Sequence, residues 1–164
     1  MEVIDQYLPD AEFQNLSNCI LSPEFDWHYL SGILSHDNPA GSYQIIHLFY
    51  DPDTGSQSPY LPVLNYTLEK LGVQSLRRIK TNLTPKSIEP FKGGFHIDYP
   101  HMKTAILYMN TNNGYTEFEK GDIVESVENR MVIFDSNLKH QTVTCTDEKI
   151  RIVINFNYST LFLK

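Results

Sequence analysis

Residues 130–158 read RMVIFDSNLKHQTVTCTDEKIRIVINFNY and decide the fold. Three runs within this stretch, 130–135, 140–145 and 150–158, are short and rich in β-branched or alternating apolar side chains, which is typical of β-strands. The turn at Ser136-Asn137 is too short for a helical crossover, so it favours antiparallel neighbours. The stretch therefore predicts an antiparallel sheet.

The same alternation extends upstream as far as Arg77. Further strands are predicted near 77–83, 92–98, 103–110 and 115–126. Polar turns divide them, at Asn112-Asn113-Gly114 and Lys120-Gly121-Asp122. Many short antiparallel strands predict a closed jelly roll, a double-stranded β-helix of the cupin-like kind.

The first 76 residues are mixed in character. The pattern predicts a short strand over Met1 to Leu8, a helix over 10–20, a strand over Tyr43 to Tyr50 and a helix over 60–72. Ser58-Pro59 supplies the start signals of the second helix, and Gly72 ends it. We therefore expect an α+β fold, mainly β, in which these two helices brace one sheet.

Length and composition agree with one domain over residues 1–164. Within it we distinguish a mixed support and substrate-loop region, 1–76, from a β-sandwich core, 77–158, that would carry a metal site. The chain is 41% apolar, which argues against disorder, and its net charge of −7 disfavours extended nucleic-acid binding.

The segment 36–60 combines several prolines and glycines with aromatic residues such as Tyr43, Tyr50 and Tyr60. Loops of this composition often border binding sites. We therefore predict a loop here that gates substrate binding.

No apolar run approaches the ~20 residues that a membrane helix needs, and the opening MEVIDQYLPD lacks the features of a secretory signal. Cys19 and Cys145 are too few for a disulfide framework. We therefore expect a soluble cytoplasmic protein without membrane contacts.

The most informative local pattern is His96-Ile97-Asp98. In a strand, residues i and i+2 face the same way, so imidazole and carboxylate would point into one space. The triplet also arises by chance, and a single histidine is often an ordinary surface or core residue. With His140 as a third ligand, however, it would form the two-His-one-carboxylate site typical of non-haem Fe(II) oxygenases.

Arg151 opens the alternating run 151–157 and shares one face of it with Val153, Asn155 and Asn157. An arginine on the interior face of a sandwich needs an anion beside it. Arg151 therefore indicates either an anionic ligand or a structural salt bridge with a buried acid.

Several motifs in series resemble the prolyl 4-hydroxylase-like branch of the Fe(II)/2-oxoglutarate-dependent dioxygenases. The resemblance covers roughly 78–158 and rests on His96-x-Asp98-x-Pro100, the strand Ala105 to Asn110, the turn Gly114 to Phe118, the strand Asn129 to Ser136, and then His140 and Arg151. The chain departs from the family pattern at Met109, at the glycine pair before Tyr115 and at Asn129, which can still adopt a left-handed turn.

The resemblance implies that His96, Asp98 and His140 bind Fe(II) and are catalytic. It implies that Arg151 binds the far carboxylate of 2-oxoglutarate, with a hydroxyl added by Tyr108. It further implies O₂ as co-substrate, succinate and CO₂ as products, and hydroxylation of a peptidyl, in particular prolyl, or small-molecule substrate. Ascorbate is a further candidate cofactor. The residue that contacts the iron-side carboxylate is open among Asn82, Asn155 and Asn157.

Two other functions use the same residues. A cupin-like zinc or manganese hydrolase or isomerase would have the three ligands but no keto acid, and a jelly-roll binding module would have no catalysis. The alternative for Tyr108 is an ordinary core aromatic residue.

Residues 77–103 hold six basic against two acidic side chains, a local charge of +4 that leaves −11 elsewhere. This could draw anionic molecules toward the metal-bearing segment. We favour the simpler interpretation of a solvated strand edge protected by lysines.

Overall fold

The computed structural model describes residues 1–31 and 43–160. Its elements in chain order are β1 (Glu2–Ile4), α1 (Asp10–Ile20), β2 (His28–Ser31), β3 (Tyr43–Asp51), β4 (Ser56–Gln57), a 3₁₀ turn (Leu61–Leu64), α2 (Asn65–Lys70), β5 (Ser75–Pro85), β6 (Lys103–Tyr108), β7 (Tyr115–Phe118), β8 (Ile123–Glu125), β9 (Arg130–Asp135), β10 (His140–Val143) and β11 (Ile150–Ser159). The strands form two antiparallel sheets. The large sheet has the order β1-β9-β6-β11-β5-β3-β2, with β4 beside β3, and the small sheet has the order β10-β7-β8.

This arrangement is the predicted mainly-β jelly roll with two short helices. Its interior is divided by the large sheet into two apolar clusters. On the outer side, α1 contributes Phe13, Leu16 and Ile20, the three residues that its helical spacing predicts to be buried. On the inner side, a smaller cluster includes Ile106 of β6 and Phe118 of β7, so it joins the two sheets.

The central strand β11 serves both sides. Ile152, Ile154 and Phe156 belong to the helix-side cluster, whereas Arg151 and Val153 face the space between the sheets. Because β11 lies between β5 and β6, side chains from all three strands meet there. The alternation that the sequence predicts for β11 therefore directs alternate side chains of this strand into the site.

Three sequence predictions need correction. Residues 92–98 form no regular strand: they pair with β10 only through isolated bridges at Lys92 and His96, and Gly94 has φ 93°, which interrupts an extended ladder. The run 115–126 is a hairpin, since residues between Phe118 and Ile123 turn, with Gly121 N–H donating to Phe118 O at 2.8 Å.

The second helix, predicted over 60–72, begins with the 3₁₀ turn, and only Asn65–Lys70 is α-helical. The helix ends at Lys70, and Gly72, predicted to close this segment, follows with φ 65°. Strands β2 and β4 were not predicted, because each is too short to show alternation.

Residues 36–42 of the predicted gating loop lie outside the described residues. From Tyr43 onward the segment consists of strand β3, close to the predicted strand, and a hairpin to β4, and the gating role of the segment stays a prediction. Among the described residues, no helix combines the length and apolarity that crossing a bilayer requires.

Candidate metal centre

His96 and His140 lie opposite each other across the isolated bridge between residues 92–98 and β10. Each backbone N–H donates to the carbonyl of the other residue, at 3.0 Å in both directions. Their ring centroids are 4.5 Å apart. The His140 ring also packs edge-on against Phe134, at 4.9 Å, which fixes its orientation.

Backbone carbonyls orient both imidazoles. His140 Nδ1 lies 3.1 Å from Leu138 O, and His96 Nδ1 lies 3.2 Å from Gly94 O. With Nδ1 protonated and donating to these oxygens, each Nε2 carries a lone pair. Both Nε2 atoms face Asp98, each at 3.8 Å from one of its carboxylate oxygens.

Asp98 completes the cluster. The ligand atoms of His96, Asp98 and His140 all lie within 4.8 Å of one another. Asp98 Oδ2 accepts hydrogen bonds from Thr104 Oγ1 at 3.1 Å and from Asn157 Nδ2 at 2.9 Å. Two imidazoles and one carboxylate are a donor set that suits Fe(II), and the absence of thiolate ligands argues against structural zinc.

The electrostatics keep this donor set ready for a cation. Burial would raise the pKa of Asp98, but His140, the Asn157 hydrogen bond, His96 and Arg78 outweigh it and lower that pKa below its ordinary value. Burial, reinforced by His140, lowers the pKa of His96. The carboxylate is therefore ionised and His96 neutral at neutral pH, as metal ligation requires.

Arg151 is 2% exposed and faces the same interior space. Its Nε donates to Ser126 Oγ at 2.9 Å and its Nη1 to Thr142 Oγ1 at 3.0 Å, with Thr116 Oγ1 at 3.4 Å from Nη2. No carboxylate of the described residues forms a salt bridge with it. Burial accordingly lowers the pKa of this guanidinium.

The buried-acid alternative for Arg151 is therefore not what the described chain contains. A buried cation surrounded only by neutral hydroxyls is unfavourable unless an anion joins it. Arg151 can therefore accept an anionic ligand from the cavity.

One cavity of about 330 Å³ contains the metal-binding cluster and Arg151. Thr142 lies two residues after His140 on β10, so the hydroxyl that holds Arg151 and the metal-facing imidazole share one face of the strand, about 7 Å apart along it. The lining residues are Gln44, Arg78, Lys80, Asn82, Thr84, His96, Ile97, Asp98, Tyr99, Ile106, Thr116, His140, Thr142, Arg151, Val153 and Asn155.

Tyr108 lies behind this cavity rather than in its lining. Its hydroxyl donates to Thr116 Oγ1 at 2.8 Å, and its ring lies 5.6 Å from the Arg151 guanidinium carbon. It shares the inner face of β6 with Ile106, as the alternation predicts. In this arrangement Tyr108 acts on the cavity through Thr116.

The three asparagines that the sequence offers as contacts for the iron-side carboxylate have different surroundings. Asn82 and Asn155 line the cavity, and Asn155 Oδ1 is buried without a hydrogen-bond partner in the described residues. Asn157 instead holds Asp98, which makes it a support for the metal ligand.

Arg78 and Lys80 require a correction. They lie on β5, an interior strand between β11 and β3, and both line the cavity, so for them the interpretation as a solvated strand edge is wrong. Burial, assisted by Arg78, lowers the pKa of Lys80 to about 8. The i, i+2 spacing of Arg78 and Lys80 indicates that both side chains lie on one face of a strand. The sequence does not show whether that face is interior or exposed.

The small hydroxyl residues around Arg151 were also missed. Thr116 lies on β7 and Thr142 on β10, both in the small sheet, and Ser126 directly follows β8. Serine and threonine are common on surfaces, so nothing in the sequence distinguished these three.

An oxidoreductase of the 2OG-Fe(II) oxygenase family from Burkholderia pseudomallei matches with a TM-score of 0.69 at 11% identity, over 96% of this chain and 84% of that one. A prolyl-4-hydroxylase from Pseudomonas putida matches with a TM-score of 0.63 at 17% identity, over 98% and 92%.

The chain has the fold of the 2-oxoglutarate/Fe(II) oxygenases.

A third match is a prolyl hydroxylase from Trichoplax adhaerens in complex with a hypoxia inducible factor oxygen degradation domain peptide fragment, with a TM-score of 0.59 at 14% identity, over 96% of this chain and 82% of that one. By sequence, no family profile and no curated protein matches the chain. The likeness to these oxygenases is therefore one of fold.

Proposed function

We propose that this protein is an Fe(II)- and 2-oxoglutarate-dependent oxygenase that hydroxylates a peptidyl, in particular prolyl, or small-molecule substrate. The observation that carries the proposal is the pairing, within one cavity, of a two-His-one-carboxylate cluster with a buried arginine that has no carboxylate partner in the described chain. A metal site alone would not need that arginine. A dicarboxylic keto acid would bind the metal at one end and the arginine at the other.

His96, Asp98 and His140 would hold the metal through two Nε2 atoms and one carboxylate. Fe(II), when bound there with 2-oxoglutarate and O₂, supplies the oxidising chemistry that no side chain provides. Three protein ligands leave coordination positions open for these molecules.

Arg151 would bind the far carboxylate of the co-substrate through charge-assisted hydrogen bonds. The hydroxyls of Thr116 and Thr142 already fix the guanidinium, so little conformational freedom is lost on binding. Ile106 and Val153 form apolar walls that exclude water between the two ends.

The peptide alternative has support from the Trichoplax hydroxylase, which was solved with a peptide fragment. A small molecule is the other candidate substrate, because a cavity of about 330 Å³ has the size of a small-molecule site. Ascorbate remains a prediction, tested by whether it prolongs turnover of the iron-loaded protein.

The deciding experiment is anaerobic addition of Fe(II) and then 2-oxoglutarate, followed by visible absorption spectroscopy. We expect a charge-transfer band from the chelate, and succinate release once O₂ is admitted. Arg151→Ala should weaken 2-oxoglutarate binding by about thirtyfold or more, because it removes a buried charge-assisted contact worth roughly 2–5 kcal/mol.

Metal-loaded wild-type protein that gives no band would contradict the proposal. A metal-dependent hydrolase or isomerase would keep its activity in Arg151→Ala, whereas a binding module would release no succinate.

A further inference from the structure

Two further cationic side chains line the cavity besides Arg151. Arg78 and Lys80, called here the basic pair, lie on β5 and line the cavity on the side of β3. Lys80 forms no salt bridge in the described chain. Arg78 Nη2 lies 3.7 Å from Asp98 Oδ1, but Arg78 Nε is buried without a hydrogen-bond partner in the described residues. Both therefore retain unused capacity for an anion.

Strand register separates the basic pair from Arg151. Lys80 lies opposite Asn155, and Arg78 lies opposite Asn157, whose side chain holds Asp98. The backbone of Asn155 is four residues from Arg151, about 13 Å along the strand. The basic pair is thus at the metal end of the cavity, and Arg151 is at the other end.

The balance of charge in the cavity leaves room for a second anion. Its lining contains three cationic side chains, those of Arg78, Lys80 and Arg151, and a single carboxylate, that of Asp98. A divalent metal adds two positive charges and the 2-oxoglutarate dianion removes two. A filled site would therefore still carry an excess of two positive charges.

Arg78 also lies at the mouth of the cavity, beside Tyr99. The Arg78 guanidinium carbon lies 5.0 Å from the centre of the Tyr99 ring, and its side chain is 21% exposed. Tyr99 and the half-exposed Ile97 line the same region. An incoming molecule would meet apolar and cationic groups together, beside the metal.

We propose that the basic pair of Arg78 and Lys80 binds an anionic group, a carboxylate or phosphate, of the prime substrate, so that this protein selects acidic peptides or acidic small molecules. The inference rests on the proposed function, since it takes the Arg151 end of the cavity to be filled by 2-oxoglutarate. It adds a substrate class to that function. The lowered pKa of Lys80 agrees with it: burial and the neighbouring Arg78 disfavour the ammonium more than the attraction of Asp98 favours it, and an added anion would relieve this imbalance.

The test uses the full chain loaded anaerobically with Mn(II) and 2-oxoglutarate, which blocks turnover and fills the Arg151 end. Two probes of the same carbon frame are titrated calorimetrically at neutral pH: N-acetyl-L-aspartate, a dianion, and its uncharged diamide. We expect wild-type protein to bind the dianion at least tenfold more tightly than the diamide.

In Lys80→Met and in the double variant with Arg78→Gln, we expect this preference to fall to about twofold or less. In Lys80→Met alone, the affinity for 2-oxoglutarate should change little, because Lys80 makes no salt bridge with a metal ligand. Lys86→Met is the matched control: Lys86 follows the same strand, donates to Asp147 O and does not line the cavity, so its loss removes the same charge without touching the site. The control should keep the wild-type preference.

Equal binding of the two probes by wild-type protein would overturn the inference, as would a preference that survives in the double variant. A large loss of 2-oxoglutarate affinity in Lys80→Met would also overturn it, because the lysine would then serve the co-substrate. Failure of the proposed function gives a different result, namely wild-type protein that binds no 2-oxoglutarate.

Discussion

Asp98 is supported by residues distant from it in the sequence. Thr104 and Asn157 donate to the same carboxylate oxygen, Oδ2, and they belong to neighbouring strands, β6 and β11. The spacing of His96 and Asp98 predicts that the two lie together. The supporting partners were not predictable from the sequence, because their proximity depends on strand register.

At this residue scale, we expect Asn157→Leu to weaken metal binding about tenfold to hundredfold, since supporting hydrogen bonds orient a ligand and keep it ionised. The measurement is the dissociation constant of Co(II) or Fe(II) for the anaerobic protein. Asn155→Leu is the control, because Asn155 lies on the same face of β11 but makes no hydrogen bond to Asp98. Equal losses in the two variants would show that Asn157 has no specific role.

At the scale of elements, alternation was the most informative signal. In β11 it predicted which side chains face the helices and which face the cavity, because strand periodicity is strict. In residues 92–98 it failed: glycines break the ladder, and only isolated bridges hold the segment to β10. The sequence predicts that His96 and Asp98 lie together because residues i and i+2 of a strand face the same way. The two side chains do lie together, although residues 92–98 do not form a regular strand.

The turn before β7 also depends on a single residue. A Cβ at Gly114 would lie 2.8 Å from Arg151 Cδ and 2.9 Å from Val143 O. Since the carbonyl belongs to the β10 backbone, relief would have to come from movement of Arg151 or of the strand.

Gly114→Ala should therefore lower the free energy of unfolding by roughly 1–3 kcal/mol and also weaken 2-oxoglutarate binding, because Arg151 is displaced. Urea denaturation and anaerobic titration measure the two effects. An alanine variant with wild-type stability and affinity would show that this close approach relaxes freely.

At the scale of the whole molecule, histidines govern the response to mild acid. Burial lowers the pKa of both His47 and His96 from the ordinary value of 6.5. As pH falls through 6.5, the unfolded chain takes up protons at these positions before the folded chain does. The free energy of unfolding must then fall with pH in this window.

We expect metal-free protein to be less stable near pH 5 than near pH 7 in urea denaturation. Carboxyls with lowered pKa, Asp98 among them, add a further loss only when pH drops below the ordinary value of 3.8. Replacing His47 and His96 together with Gln should flatten the change between pH 7 and 5. A slope that persists in that variant would assign it to other groups.

The depth of Arg151 has a kinetic consequence. The guanidinium is at the closed end, while Ile97 and Tyr99 stand at the mouth beside the basic pair. A molecule destined for Arg151 must pass this mouth first, and any occupant of the mouth then blocks the way behind it. Association should follow a compulsory order, with the keto acid first and the molecule to be oxidised second, and succinate should depart only after the oxidised product has gone.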